Sequence, residues 1–360
     1  VSERIKLKSF DIEFLNGYMG DPATLVSIKR SGIHILFDLG SLENASHKDL
    51  LKVRQVFVSH THVDHFIGFD RLLRINIPHR KPLHLWGPQG FASNVQGKIL
   101  GYTWNLIDSD QLPFWVSEIQ ETKINKAFFL GKVNDFRLKP EDLDQMSDSV
   151  ALLSDGSSVK AVALDHKGTD SIAYRLETPL FNKINGEALK DLNLDPGPWI
   201  QKFLDRLAIQ DLEGAMEVGG KQWAMETLAQ RIVLGSDQCS LAYLTDFSFD
   251  QPNLDRLLKC FGDARAVICE ASFLDEDRGR SVAKAHLTTR QAALVASLLG
   301  CEEFLAFHVS NIYAGRGAEA LEEASAFFEA FKRMTRQELD NELLAEHKRV
   351  AQCKSDLGMV

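Results

Sequence analysis

Three of the eleven histidines fall within six positions of "VFVSHTHVDHFIGFD", residues 56–70: His60, His62 and His65, with Asp64 between the last two. Imidazole nitrogen and carboxylate oxygen are the donors that zinc and similar divalent ions favour. Side chains in an extended loop alternate with a period of two, so His60 and His62 point the same way and can hold one ion. Asp64 and His65 lie further along and face differently, which suits a second ion nearby. The bland alternative is a polar loop rich in histidine by chance, and four ligands this dense argue against it. Such a site needs further ligands from elsewhere in the chain. His166 follows "VALD", Asp246 follows "LAYLT" and His308 follows "FLAF", each just past an apolar run. Any one alone is as compatible with a turn residue or a core histidine. Together they complete two sets: His60, His62, His166 and Asp246 for one ion, and Asp64, His65, His308 and a shared Asp246 for the other. His34, His47, His79, His84 and His347 have no such placement, so surface or structural roles are expected for them.

These side chains need elements to carry them. "IKLKSFDIEFLN", "ATLVSIKR" and "IHILFDLGS" alternate or cluster apolar residues between Gly, Asp and Pro, the pattern of strands. "VRQVFVSH" is a buried strand that delivers the chain to the histidine cluster, and "FIGFDRLLRINI" reads as one helix after it. "PLHLWGP" is another strand. From "GFASNVQGKILGYTW" to "MSDSV" helical and extended pieces alternate. "SVKAVALDHKGTDSIAYRLET" reads as strand, turn, strand. Residues 180–232 read as a helical insertion with Pro-Gly-Pro punctuation. "SLAYLTD", the end of "PNLDRLLKCFGDARAVICEASF" and "EFLAFHVS" return to strands that end at Asp246, Glu270 and His308. "LTTRQAALVASLLG" opens with threonines in N-cap position and continues as a helix. Residues 318–360 form a helical tail. Ligands at strand ends are held by a rigid scaffold. The expected fold is α/β: two sheets face to face with helices outside and the site along one edge.

The chain has 360 residues, 44% hydrophobic and 25% charged, ordinary values for a soluble globular protein. No apolar run approaches the roughly 20 residues that span a bilayer, so no membrane partner is expected. "VSERIKLKSFDIEF" lacks an apolar core segment, so no signal peptide is expected. Cys239, Cys260, Cys269, Cys301 and Cys353 are odd in number and lack CxxC spacing, which suggests free thiols in a reducing cytoplasm. The net charge of -9 counts against a broad nucleic-acid surface.

The run His60-Thr61-His62-Val63-Asp64-His65 resembles the HxHxDH signature of the metallo-β-lactamase superfamily. That resemblance implies a four-layer αββα sandwich with a dinuclear metal site, usually zinc, with manganese or iron also compatible. It sharpens toward the ribonuclease Z branch through "HTHVDHFIGFDRLL", "LHLWGPQGF", "DHKGTDSIAYRL", "LAYLTD", "ICEASF", "AHLTTRQAALVA" and "LAFHVSNIY", which follow the order of that branch. It implies a metal-dependent phosphodiesterase that cleaves the 3′ end of precursor tRNA. Paired ions lower the pKa of water and neutralise phosphate charge. Asp64 would bind metal and orient or deprotonate the attacking water. Glu270 and His286 match the branch's acid–histidine pair, with His286 donating a proton to the leaving group and Glu270 orienting it. Asp38, in "LFDLG", would support the histidine loop by hydrogen bonding. Substrate contacts would come from Ser171, Tyr174, Arg175, Phe247 and Ser310. A homodimer is expected.

Three departures bear on the substrate. Where the branch carries an arginine before its last tyrosine, this chain has Ile312, and a charged phosphate contact is gone. Thr245 and Phe247 flank Asp246 where the branch has Gly and Thr, and Phe247 would narrow or desolvate the pocket. The insertion keeps a Pro-Gly-Pro and adds Trp199, but its acids offset its bases, so it reads as a lid or dimerisation element more than as a basic arm. The alternative is therefore the same fold and metals acting on a small phosphodiester, a cyclic nucleotide, or an ester or lactone. A non-catalytic interaction protein is the weakest reading, because every ligand position is filled.

Overall fold

The protein is described from a computed structural model covering residues 2–142, 149–208 and 211–359. Residues 143–148, within the stretch read as alternating helical and extended pieces, lie outside the described residues. So do 209–210, within the insertion.

The chain divides into two compact units. In the larger, one sheet runs in chain order through Glu3–Lys6, Phe10–Phe14, Thr24–Ile28, His34–Phe37, Val53–Phe57, Leu83–Pro88, Phe114–Gln120, Lys123–Leu130 and Lys139–Pro140. Its ladders are antiparallel except in the centre, where His34–Phe37, Val53–Phe57, Leu83–Pro88 and Phe114–Gln120 pair in parallel. The second sheet runs Ala151–Leu152, Ser158–His166, Thr169–Glu177, Ser240–Leu244, Ala266–Glu270 and Glu303–Phe307, the last three parallel.

The period-two alternation of strands sorts these residues into layers. Leu36, Val56, Leu85 and Val116 point away from the second sheet and pack with Phe69, Leu72, Leu73, Ala92 and Val95 of the helices Phe69–Asn76 and Phe91–Leu100. Their neighbours Phe37 and Phe57 face the other way. Phe37 stacks on Tyr243 at 5.0 Å between ring centroids, and Phe57 meets Tyr174 edge-on at 5.2 Å. On the far face of the second sheet, Ala173, Ala242, Leu244 and Cys269 pack against the helices Gln251–Phe261, Thr289–Leu298 and Gly317–Phe331. The result is helix, sheet, sheet, helix, as the sequence predicted. Each fully buried ring between the sheets contributes about 2–3 kcal/mol.

Within "FIGFDRLLRINI" the helix is Phe69–Asn76, which begins after Gly68, and Phe66 closes a separate short helix, Val63–Phe66. Gly68 N donates to Leu39 O at 2.8 Å, and a Cβ there would sit 2.0 Å from Gly40 O. That close approach ties the histidine loop to residues 38–42 and leaves no room for a side chain. The tail forms Gly317–Phe331 and Arg336–Asp356, and the second starts where Thr335 and Glu338 make a reciprocal capping box.

The smaller unit comprises residues 154–157 and 177–239. It holds the helices Gly186–Asp191, Trp199–Ala208 and Met225–Ile232 around a core that includes Leu189, Phe203, Met225 and Leu228. The insertion is not all helix, contrary to the expectation for 180–232. Phe181–Ile184 pairs with Val233–Asp237, and Ala215–Val218 pairs with Lys221–Ala224. The second pair turns on Gly219 and Gly220, at φ +59° and +73°, the backbone a tight two-residue hairpin requires.

Candidate metal centre

The site is built from residues at or just past strand ends in the larger unit. His60 and its neighbours follow Val53–Phe57. His166 ends Ser158–His166, Asp246 follows Ser240–Leu244, Glu270 ends Ala266–Glu270, and His308 follows Glu303–Phe307. Asp246 lies at the centre. Its Oδ2 is 3.2 Å from His65 Nε2, 3.7 Å from His60 Nε2 and 4.0 Å from His166 Nε2, while its Oδ1 is 2.8 Å from His308 Nδ1. Asp64 Oδ2 is 3.6 Å from both His65 Nε2 and His308 Nε2.

Ligand-capable atoms gather in three sets among the described residues, one of them Asp246, Glu270, His286 and His308. His60, His62, His166 and Asp246 bring atoms within 4.8 Å of one another, and so do Asp64, His65 and His308. The outer nitrogens are already used. His60 Nδ1 meets Ser59 Oγ at 3.0 Å, His65 Nδ1 meets Asp38 Oδ2 at 3.0 Å, and His166 Nδ1 donates to Ala285 O at 2.9 Å. The inner nitrogens are not. His60 Nε2, His65 Nε2 and His308 Nδ1 are buried and face Asp246 at 3.7, 3.2 and 2.8 Å without a well-aligned hydrogen bond. Buried polar atoms without partners are costly, and a cation among them supplies what they lack. Fixing one imidazole nitrogen so that the other faces inward is how metal-binding histidines are held. The donor set fits two divalent ions sharing Asp246.

Electrostatics agree. Burial, reinforced by His65, pushes the His60 pKa down to about 2, so this ring is neutral and able to donate a lone pair. Burial opposes charge on His308, but Asp246 beside it outweighs that and raises its pKa to about 10. Burial also works against ionising Asp246, yet His308, His65 and His286 hold its pKa well below the usual range. The centre is a buried anion that requires positive charge around it, from protons or from metal.

Asp38 is the support that the sequence suggested. It has no exposed surface and sits at φ +56°. Its carboxylate accepts from Ser59 N at 2.6 Å, Ser59 Oγ at 2.9 Å, His65 Nδ1 at 3.0 Å and Tyr243 Oη at 2.8 Å. Asp246 and His308 are also left-handed, at φ +47° and +54°. Such backbone is strained for these residues and persists where surrounding contacts enforce it.

Glu270 and His286 lie together beside the centre. Glu270 is fully buried; its Oε2 is 2.7 Å from His286 Nδ1 and accepts from Ser272 Oγ, and its Oε1 accepts from Phe247 N. Opposed by burial but favoured by Glu270 and Asp246, the His286 pKa is raised. A cavity of about 220 Å³ opens here, lined by Asp64, Ser272, Lys284, His286, His308 and Ser310 among others.

Four expected substrate contacts are corrected by their positions. Tyr174 is wholly buried between the sheets and donates to Val58 O at 2.7 Å. Ser171 is buried and donates to Thr245 O at 2.9 Å. Arg175 Nη1 donates to Gly262 O, a backbone contact. Phe247 is buried in the helix-side core with Leu254 and Leu257, so it does not narrow the cavity. Each serves the scaffold, because inter-sheet packing and backbone satisfaction use the same side chains. Ser310 does line the cavity, and Ile312 is half exposed. Ser59, Tyr243 and Ser272 went unnoticed in the sequence. Tyr243 carried the one available signal: a phenol in an otherwise aliphatic strand three residues before Asp246.

No family model matches the chain. Ribonuclease Z of Deinococcus radiodurans is 27% identical over 312 residues, covering 84% of this chain and 92% of that protein. Ribonuclease Z of Methanosarcina mazei is 25% identical over 315 residues, covering 85% and 87%. Among solved structures, the metallo-β-lactamase fold protein YhfI from Bacillus subtilis superposes with a TM-score of 0.50 at 14% identity, covering 88% of this chain and 92% of that one. The chain therefore has the metallo-β-lactamase fold and resembles ribonuclease Z in sequence over most of its length.

Proposed function

We propose that this protein is a dinuclear metal-dependent phosphodiesterase of ribonuclease Z type, cleaving RNA at the 3′ end of precursor tRNA. The observation that carries the reading is the ring of buried imidazole nitrogens, none in a well-aligned hydrogen bond, gathered around one shared carboxylate. His60, His62, His166 and Asp246 would hold one ion, and Asp64, His65, His308 and Asp246 the other, with zinc the metal that suits this donor set. Bound ions supply a lowered water pKa and charge neutralisation on the phosphate.

The chain's own groups do the rest. Asp64, whose side chain is 46% exposed, faces the cavity and orients or deprotonates the attacking water. The new P–O bond forms as the bond to the leaving ribose oxygen breaks. His286, held on Glu270, gives that oxygen its proton. Ser310 contacts substrate at the cavity wall. The working assembly is a homodimer in a reducing cytoplasm. Sedimentation velocity tests the assembly. Among the described residues, no helix is long and apolar enough to cross a membrane.

Elemental analysis followed by hydrolysis of bis(p-nitrophenyl) phosphate tests the enzyme. No bound metal and no turnover with added zinc or manganese would sink the reading. A 3′-extended precursor tRNA at low salt then tests the substrate. A second reading, a small phosphodiester as substrate, is favoured by the half-exposed Ile312 and by the net charge of -9. Cleavage of the aryl diester with the tRNA left intact would select it.

A further inference from the structure

Glu346 has no exposed surface, and it lies on the helix Arg336–Asp356, which the mechanism above does not use. A buried carboxylate is costly unless it is paired and hydrogen-bonded. Its Oε1 accepts from Arg278 Nε and Gln291 Nε2, both at 3.0 Å, and its Oε2 accepts from Arg349 Nη1 at 2.7 Å. Arg290 Nε is 3.6 Å from Oε2. Arg278 and Arg290 have second acids in Asp275 and Glu342. A helix that only covered apolar surface would need none of this, and the same helix already buries Leu339 and Val350.

What this network holds is the segment that carries His286. With Gln291 Nε2 on Glu346, Gln291 Oε1 faces Thr288 N at 3.0 Å and Ser281 Oγ at 3.4 Å. Ser281 Oγ donates to His286 O at 2.6 Å, and His286 N donates to Ser281 O at 3.1 Å. Ala285, the residue before His286, is left-handed at φ +59°. A strained turn keeps one conformation only if its surroundings impose it. Ser281 has one hydroxyl proton and gives it to His286 O, so Glu346 reaches the turn through Gln291 and Thr288 N, two residues past His286, without touching the imidazole.

We propose that Glu346 is a positioning residue for proton delivery: through Gln291 and Thr288 the C-terminal helix fixes the segment that keeps His286 on Glu270 at the cavity. The inference rests on the reading of His286 as the proton donor to the leaving oxygen.

Two thymidine 5′-phosphate aryl esters, the p-nitrophenyl and the unsubstituted phenyl, separate this role from a structural one. Nitrophenolate leaves without a proton, whereas phenolate leaves far better with one. Glu346→Gln should lower kcat on the phenyl ester about 10- to 100-fold more than on the nitrophenyl ester, with KM for both within about twofold. Gln291→Met, which cuts the link between Glu346 and Thr288, should shift the same ratio in the same direction and leaves the arginine cluster intact, so it decides the matter if Glu346→Gln does not fold by circular dichroism. His286→Ala is the reference. If it leaves the ratio unchanged, the assignment of His286 as proton donor is wrong and the inference falls with it. If it shifts the ratio while Glu346→Gln and Gln291→Met slow both esters equally or not at all, the positioning role alone is overturned.

Discussion

The two sides of the metal centre are held by different kinds of support. On the His60–His65 side, one carboxylate, Asp38, binds Ser59, His65 and Tyr243 directly, and Gly68 locks the loop against residues 38–42. On the His286 side, Glu270 touches the ring, but the segment itself is fixed from the C-terminal helix through Gln291 and Thr288. The first support acts on a ligand through a single hydrogen bond. The second acts at a distance, through the Gln291 side-chain amide and the Thr288 backbone. A site that must hold metal tightly and also move a proton needs both. Ligand geometry tolerates little error, and a proton donor has to be aimed.

The comparison is broken most completely by removing its centre. Asp64→Ala, or chelation of the metal, should reduce turnover of bis(p-nitrophenyl) phosphate by about a thousandfold or more, since water activation and phosphate neutralisation both fail. Near-normal rates in that variant would overturn the mechanism. Asp38→Asn tests the direct support: asparagine tolerates the left-handed backbone but removes the negative charge from His65 and Tyr243. Metal affinity should fall about 10- to 100-fold, read by competition with a chromogenic chelator. An unchanged affinity would reduce Asp38 to a loop anchor.

Gly68→Ala asks how much the loop lock matters. Its Cβ would sit 2.0 Å from Gly40 O, so the two loops must part. A loss of about 3 kcal/mol in denaturant unfolding is expected, with weaker metal retention. The smallest effect belongs to Tyr174→Phe. It leaves Val58 O without its phenol donor and should cost about 1 kcal/mol of stability. Hydrolysis kinetics within about twofold of the parent would accord with its place in the core, and a large rise in KM would restore it as a substrate contact.

Much of this architecture can be read without coordinates. The strands ending at His166, Asp246, Glu270 and His308 are short apolar runs, and their alternation already separates helix-facing from sheet-facing residues. The misreadings share a cause. Tyr174, Ser171 and Phe247 stand in register with a functional motif, yet a residue beside a site can serve packing as readily as binding. Only burial and partners tell the two apart. Gly219-Gly220 did announce a hairpin, but the helical periodicity around it was the stronger signal.

The sequence by itself determined the donor types and their order along the chain. Histidine and aspartate are rare enough, and HTHVDH dense enough, that chemistry can be read from one dimension. Tertiary structure decided what the sequence could not order: that Asp246 lies between two histidine sets, that Asp38 meets Tyr243 from 205 positions away, and that Glu346 is buried on Arg278 and Gln291, on either side of His286 in the chain. The physical reason is that metal ligands are defined by identity, whereas supports are defined by neighbours. Neighbours far apart in the chain exist only once the sheets have packed.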